Sequence, residues 1–197
     1  QVADIGMPST LLQETEGNRI LIEKELIKTI LPDRPQNAHK GSAGRVAVVA
    51  GSYGYVGAAA LCSFAAVKGG AGLVTLLTPE NTREILAIKL TEVMVKGLPV
   101  SDDRLVAEEA LEVVTEALDK ADVLAIGPGF GVSEEAGNLI RDILVTTAVP
   151  CVIDADAITA LKDHTELLSH MLAEKVLTPH PGEMARITGI RISEIKK

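Results

Sequence analysis

Aromatic side chains are scarce in this sequence. Phe, Tyr and Trp together make up 2% of 197 residues, and Trp is absent. A core must therefore be built from aliphatic side chains, and the sequence supplies them, because 47% of its residues are hydrophobic and 23% are charged. That balance is typical of a globular chain rather than a disordered one. At this length we expect one domain, or one domain and a fragment of another.

Cysteine and net positive charge are also lacking. The two cysteines, Cys62 and Cys151, are isolated from each other in apolar runs. This excludes a disulfide framework and a cysteine metal site, and it suits the reducing cytoplasm. The net charge of −8 and the pI near 5.0 leave no basic surface for nucleic acid. No signal peptide is recognisable. We therefore predict a cytoplasmic protein that binds no nucleic acid.

Long uncharged runs are rare, and the one at residues 46–67 raises the question of a membrane span. Because Gly51, Ser52, Gly54 and Gly57 interrupt it, we predict a buried strand, a loop and a buried helix, and no membrane association. Further along the chain, predicted strands at 72–77, 122–126, 151–154 and 175–178 alternate with predicted helices at 81–89, 102–120, 133–147 and 157–161. A helix at 23–31 precedes them. This alternation predicts an α/β fold with a parallel sheet and helices on both faces.

Two glycine-rich segments follow predicted strands, at the edge of the sheet where α/β proteins bind ligands. Residues 51–59 contain Gly51, Gly57 and Ala58, and residues 126–131 contain Gly129 and Gly131. Glycines let a ligand approach the backbone, and a helix N-terminus favours anions. A tight turn with close helix packing is the alternative for both segments. The spacing at residues 51–59 matches neither a P-loop nor the dinucleotide fingerprint.

Acidic residues follow another predicted strand, in the segment 152–158. A carboxylate at the end of a buried strand is costly unless it is paired. Asp154 is therefore a candidate either for a Mg²⁺ water shell or for capping the next helix. For Asp156 we favour the cap.

The segment 178–186, T-P-H-P-G-E-M-A-R, follows the last predicted strand. We expect Pro181 and Gly182 to form a turn and Glu183 to open a helix. His180 could bind substrate or place a proton, or be a satisfied imidazole in the core. Glu183 could position Mg²⁺ or water near phosphates, or only favour the helix N-terminus.

The sequence also predicts the surroundings of three further residues. Lys40, beside His39, could supply a cation for an anionic ligand, but from the residues alone we favour a solvated basic turn. Met184 and Leu172 are expected in the core.

Taken in order, six segments resemble the ADP- or ATP-dependent NAD(P)H-hydrate dehydratase family: HKGSAGRVAVVAGS, GYVGAAAL, GAGLVTL, IGPGFG, VIDADAI and LTPHPGEMARITG. The resemblance covers about residues 30–192. It implies a ribokinase-like α/β fold and the repair of hydrated NADH or NADPH, with ATP or ADP and Mg²⁺ as cofactors. Phosphorylation of the hydrate hydroxyl would convert a poor leaving group into a better one.

The resemblance also implies roles for individual residues. Relatives in the wider superfamily carry Thr-Pro-Asn-x-x-Glu at the 178–183 segment, which implies a phosphate and Mg²⁺ role for Glu183 and a substrate role for His180. We take Glu183 and Asp154 as candidate catalytic residues. The candidates for substrate binding are Ala58, Gly129, Gly131, His180, Lys40, Gly51 and Gly57.

The two ends of the sequence carry a further expectation. V-A-D-I-G-M-P at residues 2–8 resembles the tail of the NAD(P)H-hydrate epimerase domain that often precedes the dehydratase, so we assign residues 1–22 to such a tail. Residues 23–197 are then the N-terminal portion of a dehydratase domain that is truncated at its C-terminus. In the family, a Lys-Gly/Ser-x-x-Thr segment and a Gly-Ser/Thr-Gly-Asp loop with the expected catalytic base follow. We expect little turnover by this chain alone.

Two rival functions are open at this point. A ribokinase-like kinase of a vitamin precursor would share the fold and Glu183, but would usually have Asn at the position of His180. A catalytically incomplete nucleotide-binding fragment would bind hydrated coenzyme without turning it over. A homo-oligomer is the expected assembly.

Overall fold

The computed structural model describes residues 22–31, 41–101, 104–105 and 107–196. The chain forms two compact units, residues 1–36 and 37–197. In the first unit, helix α1 (Lys24–Ile30) forms within the predicted segment, and Leu31 is its C-cap. Lys40 lies outside the described residues, so its predicted role stays a prediction.

The second unit is built on a six-stranded, wholly parallel sheet of order β3-β2-β1-β6-β7-β8. Its strands are β1 (Arg45–Val49), β2 (Leu73–Pro79), β3 (Met94–Leu98), β6 (Val123–Ile126), β7 (Cys151–Ile153) and β8 (Lys175–Leu177). Two short strands, β4 (Val100–Ser101) and β5 (Arg104–Leu105), pair antiparallel outside this sheet. The predicted α/β class is confirmed.

Eight helices of the described part of this unit connect or follow the strands. They are α2 (Val56–Lys68), α3 (Glu80–Lys89), α4 (Ala107–Leu118), α5 (Glu134–Thr146), α6 (Asp156–Ala160), α7 (Leu167–His170), α8 (Pro181–Thr188) and α9 (Ile192–Ile195). Ser133 caps α5 as predicted, because its side chain accepts a hydrogen bond from the Ala136 N–H.

Helices cover both faces of the sheet, so the unit has three layers. Ala47 and Val49 of β1 enter one core with Val114 of α4 and Leu139 of α5. Val48, between them in sequence, enters a second core, which α2 and α3 supply with the buried residues Ala59, Ala60 and Leu86. Among the described residues, Phe130 is the one aromatic side chain buried in the two cores, in keeping with the scarcity of aromatic residues.

Several boundaries differ from the predicted ones. β3 was not predicted, because Lys96 and Gly97 interrupt its apolar pattern at an edge of the sheet. Helix α4 begins at Ala107 rather than 102, and residues 104–105 are extended. The prediction that Leu172 is in the core is wrong, since it is 82% exposed while its neighbours on both sides are buried.

No helix among the described residues is long and apolar enough to cross a membrane. The uncharged run at 46–67 instead forms most of β1, a loop and most of α2, so the predicted order of strand, loop and helix is confirmed. The prediction that this helix is buried is wrong, since only Ala59, Ala60 and Ser63 are buried in α2 and Leu61 is 73% exposed.

The strand order reverses between β1 and β6. From β1 the chain runs outward through β2 to β3, then returns to β6 on the other side of β1 and continues to β8. The loops that leave β1 and β6, residues 50–55 and 127–133, therefore begin at the carboxyl edge on either side of this reversal. Ligands of open α/β sheets bind at such a point.

Candidate active site

Two hydrogen bonds join the glycine-rich loops at the reversal point. The Gly51 N–H donates to the Pro128 carbonyl at 3.0 Å. The Ser52 hydroxyl donates to the Gly129 carbonyl at 2.8 Å. Because these bonds run between the loops after β1 and β6, each loop fixes the position of the other.

At two of these glycines the backbone packs so closely against α2 that a side chain has no room, which is the close helix packing given as the alternative for these segments. A Cβ added to Gly129, where φ is +63°, would lie 2.8 Å from the Ala58 Cβ, and one added to Gly51, where φ is +84°, would lie 2.8 Å from the Ala59 Cβ. The structure thus brings the predicted residues Gly51, Ala58 and Gly129 together. Gly57 differs, since no atom lies within 4 Å of an added Cβ.

The turn between β7 and α6 has an unusual backbone. Ala155 has φ +50° and ψ −116°, a region that residues with a Cβ rarely occupy. Ala155 itself occupies the N-cap position of α6, and no side chain caps this helix. The preferred prediction for Asp156, a helix cap, is therefore wrong. Its carboxylate Oδ2 instead accepts a hydrogen bond from the Gly131 N–H at 2.9 Å.

Asp154 lies before this turn and faces the end of the neighbouring strand. Its Oδ1 accepts a hydrogen bond from the Thr178 hydroxyl at 2.7 Å, and the Thr178 N–H donates to the Ile153 carbonyl. Burial, and to a lesser degree the carboxylate of Asp154, raises the pKa of the Cys62 thiol. Asp154 thus pairs across the ends of β7 and β8 rather than capping α6.

His180 and Glu183 form a capping box at the start of α8. The His180 Nδ1 accepts hydrogen bonds from the Gly182 and Glu183 N–H groups, and the Glu183 carboxylate accepts one from the His180 N–H at 2.8 Å. The helix begins at Pro181, so the predicted separate turn at Pro181 and Gly182 is wrong. Proline is favoured at this first position because its missing N–H would be unpaired there anyway.

The capping box exposes the imidazole and shields the carboxylate. The His180 side chain is 64% exposed and that of Glu183 10%. His180 is thus not the core imidazole that was one alternative. Because Nδ1 accepts hydrogen bonds, the proton of the neutral ring is on Nε2, which lies 3.2 Å from the Glu183 Oε1. The outer face of the ring is available to a ligand.

A cavity of about 500 Å³ opens between the ends of β1, β2 and β6. Ser52, Asn81, Phe130 and Gly131 are among the residues that line it. A second cavity of about 260 Å³ adjoins Gly131 and contains Asp156 in its wall. Of the predicted site residues, Gly131 lines both cavities.

Sequence reasoning missed Ser52, Asn81 and the anchoring role of Asp156. A repeated pattern could have indicated Asn81. Thr78-Pro79 ends β2 just before Asn81, much as Thr178-Pro179 follows β8 before His180. No local pattern indicates that Asp156 contacts Gly131, 25 residues away.

No group of three His, Cys, Asp or Glu side chains that could hold a metal ion occurs among the described residues. Both carboxylate oxygens of Glu183 lie against His180. The described donors therefore do not form a dedicated cage for a cation.

A family model described as NAD(P)H-hydrate dehydratase matches residues 46–197. The bifunctional NAD(P)H-hydrate repair enzyme Nnr of Moorella thermoacetica is 42% identical over 197 residues, which is 100% of this chain and 37% of that protein. The Escherichia coli enzyme of the same name is 34% identical over 98% of this chain and 34% of its own length. The chain thus spans little more than a third of these relatives.

Solved structures agree with the fold. A Streptococcus mutans protein has a TM-score of 0.76 and 30% identity, covering 89% of this chain and 60% of its own. An ADP/ATP-dependent NAD(P)H-hydrate dehydratase of Bacillus subtilis, co-crystallised with ATP and Mg²⁺, has a TM-score of 0.68 and 28% identity, covering 88% of this chain and 57% of its own. A ribokinase-like protein of Enterococcus faecalis has a TM-score of 0.71 and 27% identity, covering 87% and 57%.

Proposed function

The chain belongs to the NAD(P)H-hydrate dehydratase family, and on this premise we propose that it forms the coenzyme-binding part of an enzyme that returns hydrated NADH or NADPH to the reduced coenzyme at the expense of ATP or ADP. The nucleotide transfers a phosphoryl group to the hydroxyl of the hydrated nicotinamide ring. The C–O bond then breaks, inorganic phosphate leaves with the bonding electron pair, and the neighbouring ring carbon loses a proton, so that the C=C bond of the reduced nicotinamide ring forms again. With ATP the products are the reduced coenzyme, ADP and phosphate.

The observation that carries this proposal is the family match over residues 46–197. The site is consistent with it in two respects. The loops after β1 and β6 are held in place beside the cavity, because Gly51 and Gly129 pack directly against α2 residues. The adjoining cavity of about 500 Å³ lies within the usual volume range of small-molecule sites.

Roles of individual residues follow from this proposal. The exposed imidazole of His180 contacts the hydrated ring, and the shielded carboxylate of Glu183 orients that imidazole. Asp154 aligns the ends of β7 and β8 through its hydrogen bond with Thr178. In this proposal its carboxylate also contacts the reacting groups. The proposed coenzyme contacts, besides His180, are Gly51, Gly57, Ala58, Gly129, Gly131 and Lys40.

Mg²⁺ would arrive on the phosphates of the nucleotide, which is how this ion commonly binds when few protein ligands are present. Asp154 and Glu183 are the two carboxylates that we propose for contact with its water shell. The ion would offset the negative charge on the transferring phosphoryl group.

The test is an absorbance assay of the full-length protein with hydrated NADH, Mg²⁺ and either ATP or ADP. Nucleotide-dependent return of the reduced-nicotinamide absorbance is expected. Asp154→Asn and Glu183→Gln should each lower kcat/KM by about 10²-fold or more. A full-length protein without any recovery would contradict the dehydratase function.

Two controls sharpen this assay. The 197-residue chain alone should show little turnover. Robust turnover by it would contradict the proposal that this chain forms only the coenzyme-binding part of the enzyme. Phosphorylation of a hydroxymethylpyrimidine or thiazole alcohol by the full-length protein, without recovery of NADH, would instead favour the vitamin-precursor kinase.

We also propose domain boundaries and a cellular location for this chain. Residues 1–22 would be the tail of an epimerase-like domain and 23–197 the first portion of the dehydratase domain, which the end-to-end match to a bifunctional relative supports. We place the protein in the cytoplasm, where the free thiols of Cys62 and Cys151 would stay reduced.

We also propose a homo-oligomer, since Leu61 of α2 and Ile88 of α3 are 73% and 83% exposed. Sedimentation of the wild type and of Leu61→Glu would test it, and a wild type that sediments as a monomer at micromolar concentration would contradict it.

A further inference from the structure

The loop at residues 127–131 is held from two sides. On one side, the Pro128 and Gly129 carbonyls accept hydrogen bonds from Gly51 and Ser52. On the other side, both ends of the loop meet the turn between β7 and α6. The middle of the loop is thus attached to the loop after β1, and its ends contact the turn after β7.

The second attachment begins with a close approach at Gly127. A Cβ added there would lie 2.0 Å from the Asp154 carbonyl oxygen and 2.6 Å from the Ala157 Cβ, so the loop and the turn are in direct contact. The Gly127 N–H is itself used by the Val49 carbonyl. This end of the loop is fixed by packing against the turn and by the hydrogen bond to β1.

The other end of the loop is fixed by one charged hydrogen bond. The Gly131 N–H donates to Oδ2 of Asp156 at 2.9 Å. Space around Gly131 is open, because the nearest atom to an added Cβ there is the Ser52 Oγ at 3.8 Å. With φ at +102° and little packing, Gly131 depends on Asp156 for its orientation.

The strained residue between the two aspartates directs them to different strands. Asp154 bonds to Thr178, after β8, while Asp156 bonds to Gly131, after β6. Ala155 turns the backbone sharply between them with its positive φ. Backbone strain of this kind persists only where the surrounding structure imposes it.

We propose that Asp156 is a positioning residue. Its hydrogen bond holds Gly131, which lines both cavities, in the conformation that accepts the coenzyme. This inference rests on the proposed function. It also means that the Gly131 N–H is engaged by Asp156, so Gly131 offers a ligand its side-chain-free surface and its carbonyl. A hydrogen bond to a carboxylate is roughly twice as strong as one between neutral groups, so it can hold the Gly131 backbone in place.

The test compares Asp156→Ala with Asp156→Asn in the full-length protein. The Asn oxygen can still accept the Gly131 N–H, whereas Ala cannot. We expect Asp156→Ala to raise KM for hydrated NADH and the Kd for NADH by about tenfold, with a smaller change in kcat. Asp156→Asn should stay within about threefold of the wild type. Asp142→Ala, which removes a carboxylate at an exposed position of α5, is the matched control.

A second readout is independent of turnover. Amide hydrogen exchange at residues 127–131 should accelerate in Asp156→Ala and not in Asp156→Asn or Asp142→Ala. Unchanged exchange and unchanged NADH binding in Asp156→Ala would overturn the inference. If the wild type fails to dehydrate the substrate, the proposed function falls, while exchange and NADH binding still decide the role of Asp156. If all three variants weaken NADH binding equally, the effect is not positional and the inference also falls.

Discussion

At the scale of single residues, backbone conformation decides which side chains this site tolerates. Gly127, Gly129 and Gly51 each have positive φ and each lies too close to a neighbour for a Cβ. Ala155 has positive φ despite its Cβ. These positions join the ends of β1, β6 and β7 into one surface, so substitutions there should act on stability and ligand binding together.

Gly127→Ala should destabilise the protein severely. The added Cβ would meet the Asp154 carbonyl oxygen at 2.0 Å, and φ is +119°. A loss of more than about 3 kcal/mol in the free energy of unfolding is expected. Gly57→Ala is the matched control, because it lies in a helix with open space, and it should be neutral or stabilising by up to about 1 kcal/mol. Urea denaturation measures both, and equal effects would contradict the argument.

Ala155→Gly should behave unlike other Ala→Gly substitutions. Relief of the strain at φ +50° favours the folded state by about 1–2 kcal/mol, and the extra freedom of Gly in the unfolded chain offsets about 0.5–1 kcal/mol of it. We expect no loss of thermal stability. Ala65→Gly, at an exposed position of α2, should lose about 1 kcal/mol. A similar drop in Tm for both variants would mean that Ala155 is not strained.

At the scale of elements, each strand that borders the site is followed by a helix, and each of these helices begins with a different local structure. The helix α2 begins directly after the glycine loop, α5 uses the Ser133 cap, α6 uses the strained Ala155, and α8 uses the capping box of His180 and Glu183. Because α8 draws its cap from a residue that is also a candidate for substrate binding, the structural and functional roles of His180 must be separated experimentally.

His180→Asn separates these roles. Asn is a good N-cap, so the free energy of unfolding should change by less than about 0.5 kcal/mol, whereas His180→Ala should lose about 1 kcal/mol. If the imidazole contacts the substrate, both variants should raise KM for hydrated NADH. Denaturation and steady-state kinetics on the same samples give the answer. A wild-type KM in His180→Asn would restrict His180 to the cap.

At the scale of the whole molecule, the order of the strands creates the site. The reversal between β1 and β6 brings two loops that are 77 residues apart into hydrogen-bonding contact, as in Ser52 to Gly129. The two aliphatic cores on either face hold the sheet. The thiols of Cys151 and Cys62 lie in or beside those cores, so the stability of the fold should depend on their ionisation at alkaline pH.

Stability should fall as the pH rises above about 8.5. Burial raises the pKa of Cys62 and of Cys151, although Lys175 partly opposes the shift at Cys151. In the unfolded chain the thiols ionise near their ordinary pKa, so the folded state holds more protons above that pH. The thiols therefore contribute no pH dependence below about pH 8.5, and stability declines as pH rises further. Urea denaturation from pH 7 to 10 should show a shallower decline in the Cys62→Ala/Cys151→Ala variant, and identical slopes would contradict the assignment.

The sequence by itself determined the class of fold, most of the elements and the segments that carry the site. Alternating apolar strands and amphipathic helices are local patterns, and so are the glycine spacings, the Ser133 cap and the T-P-H-P-G-E segment. The edge strand β3 escaped prediction because Lys96 and Gly97 obscure its pattern. Only the tertiary structure decided that Asp156 bonds to Gly131, that Asp154 bonds to Thr178 and that Ala155 is strained. These features depend on which strands become neighbours and on how closely their loops approach, and local sequence patterns do not contain that information.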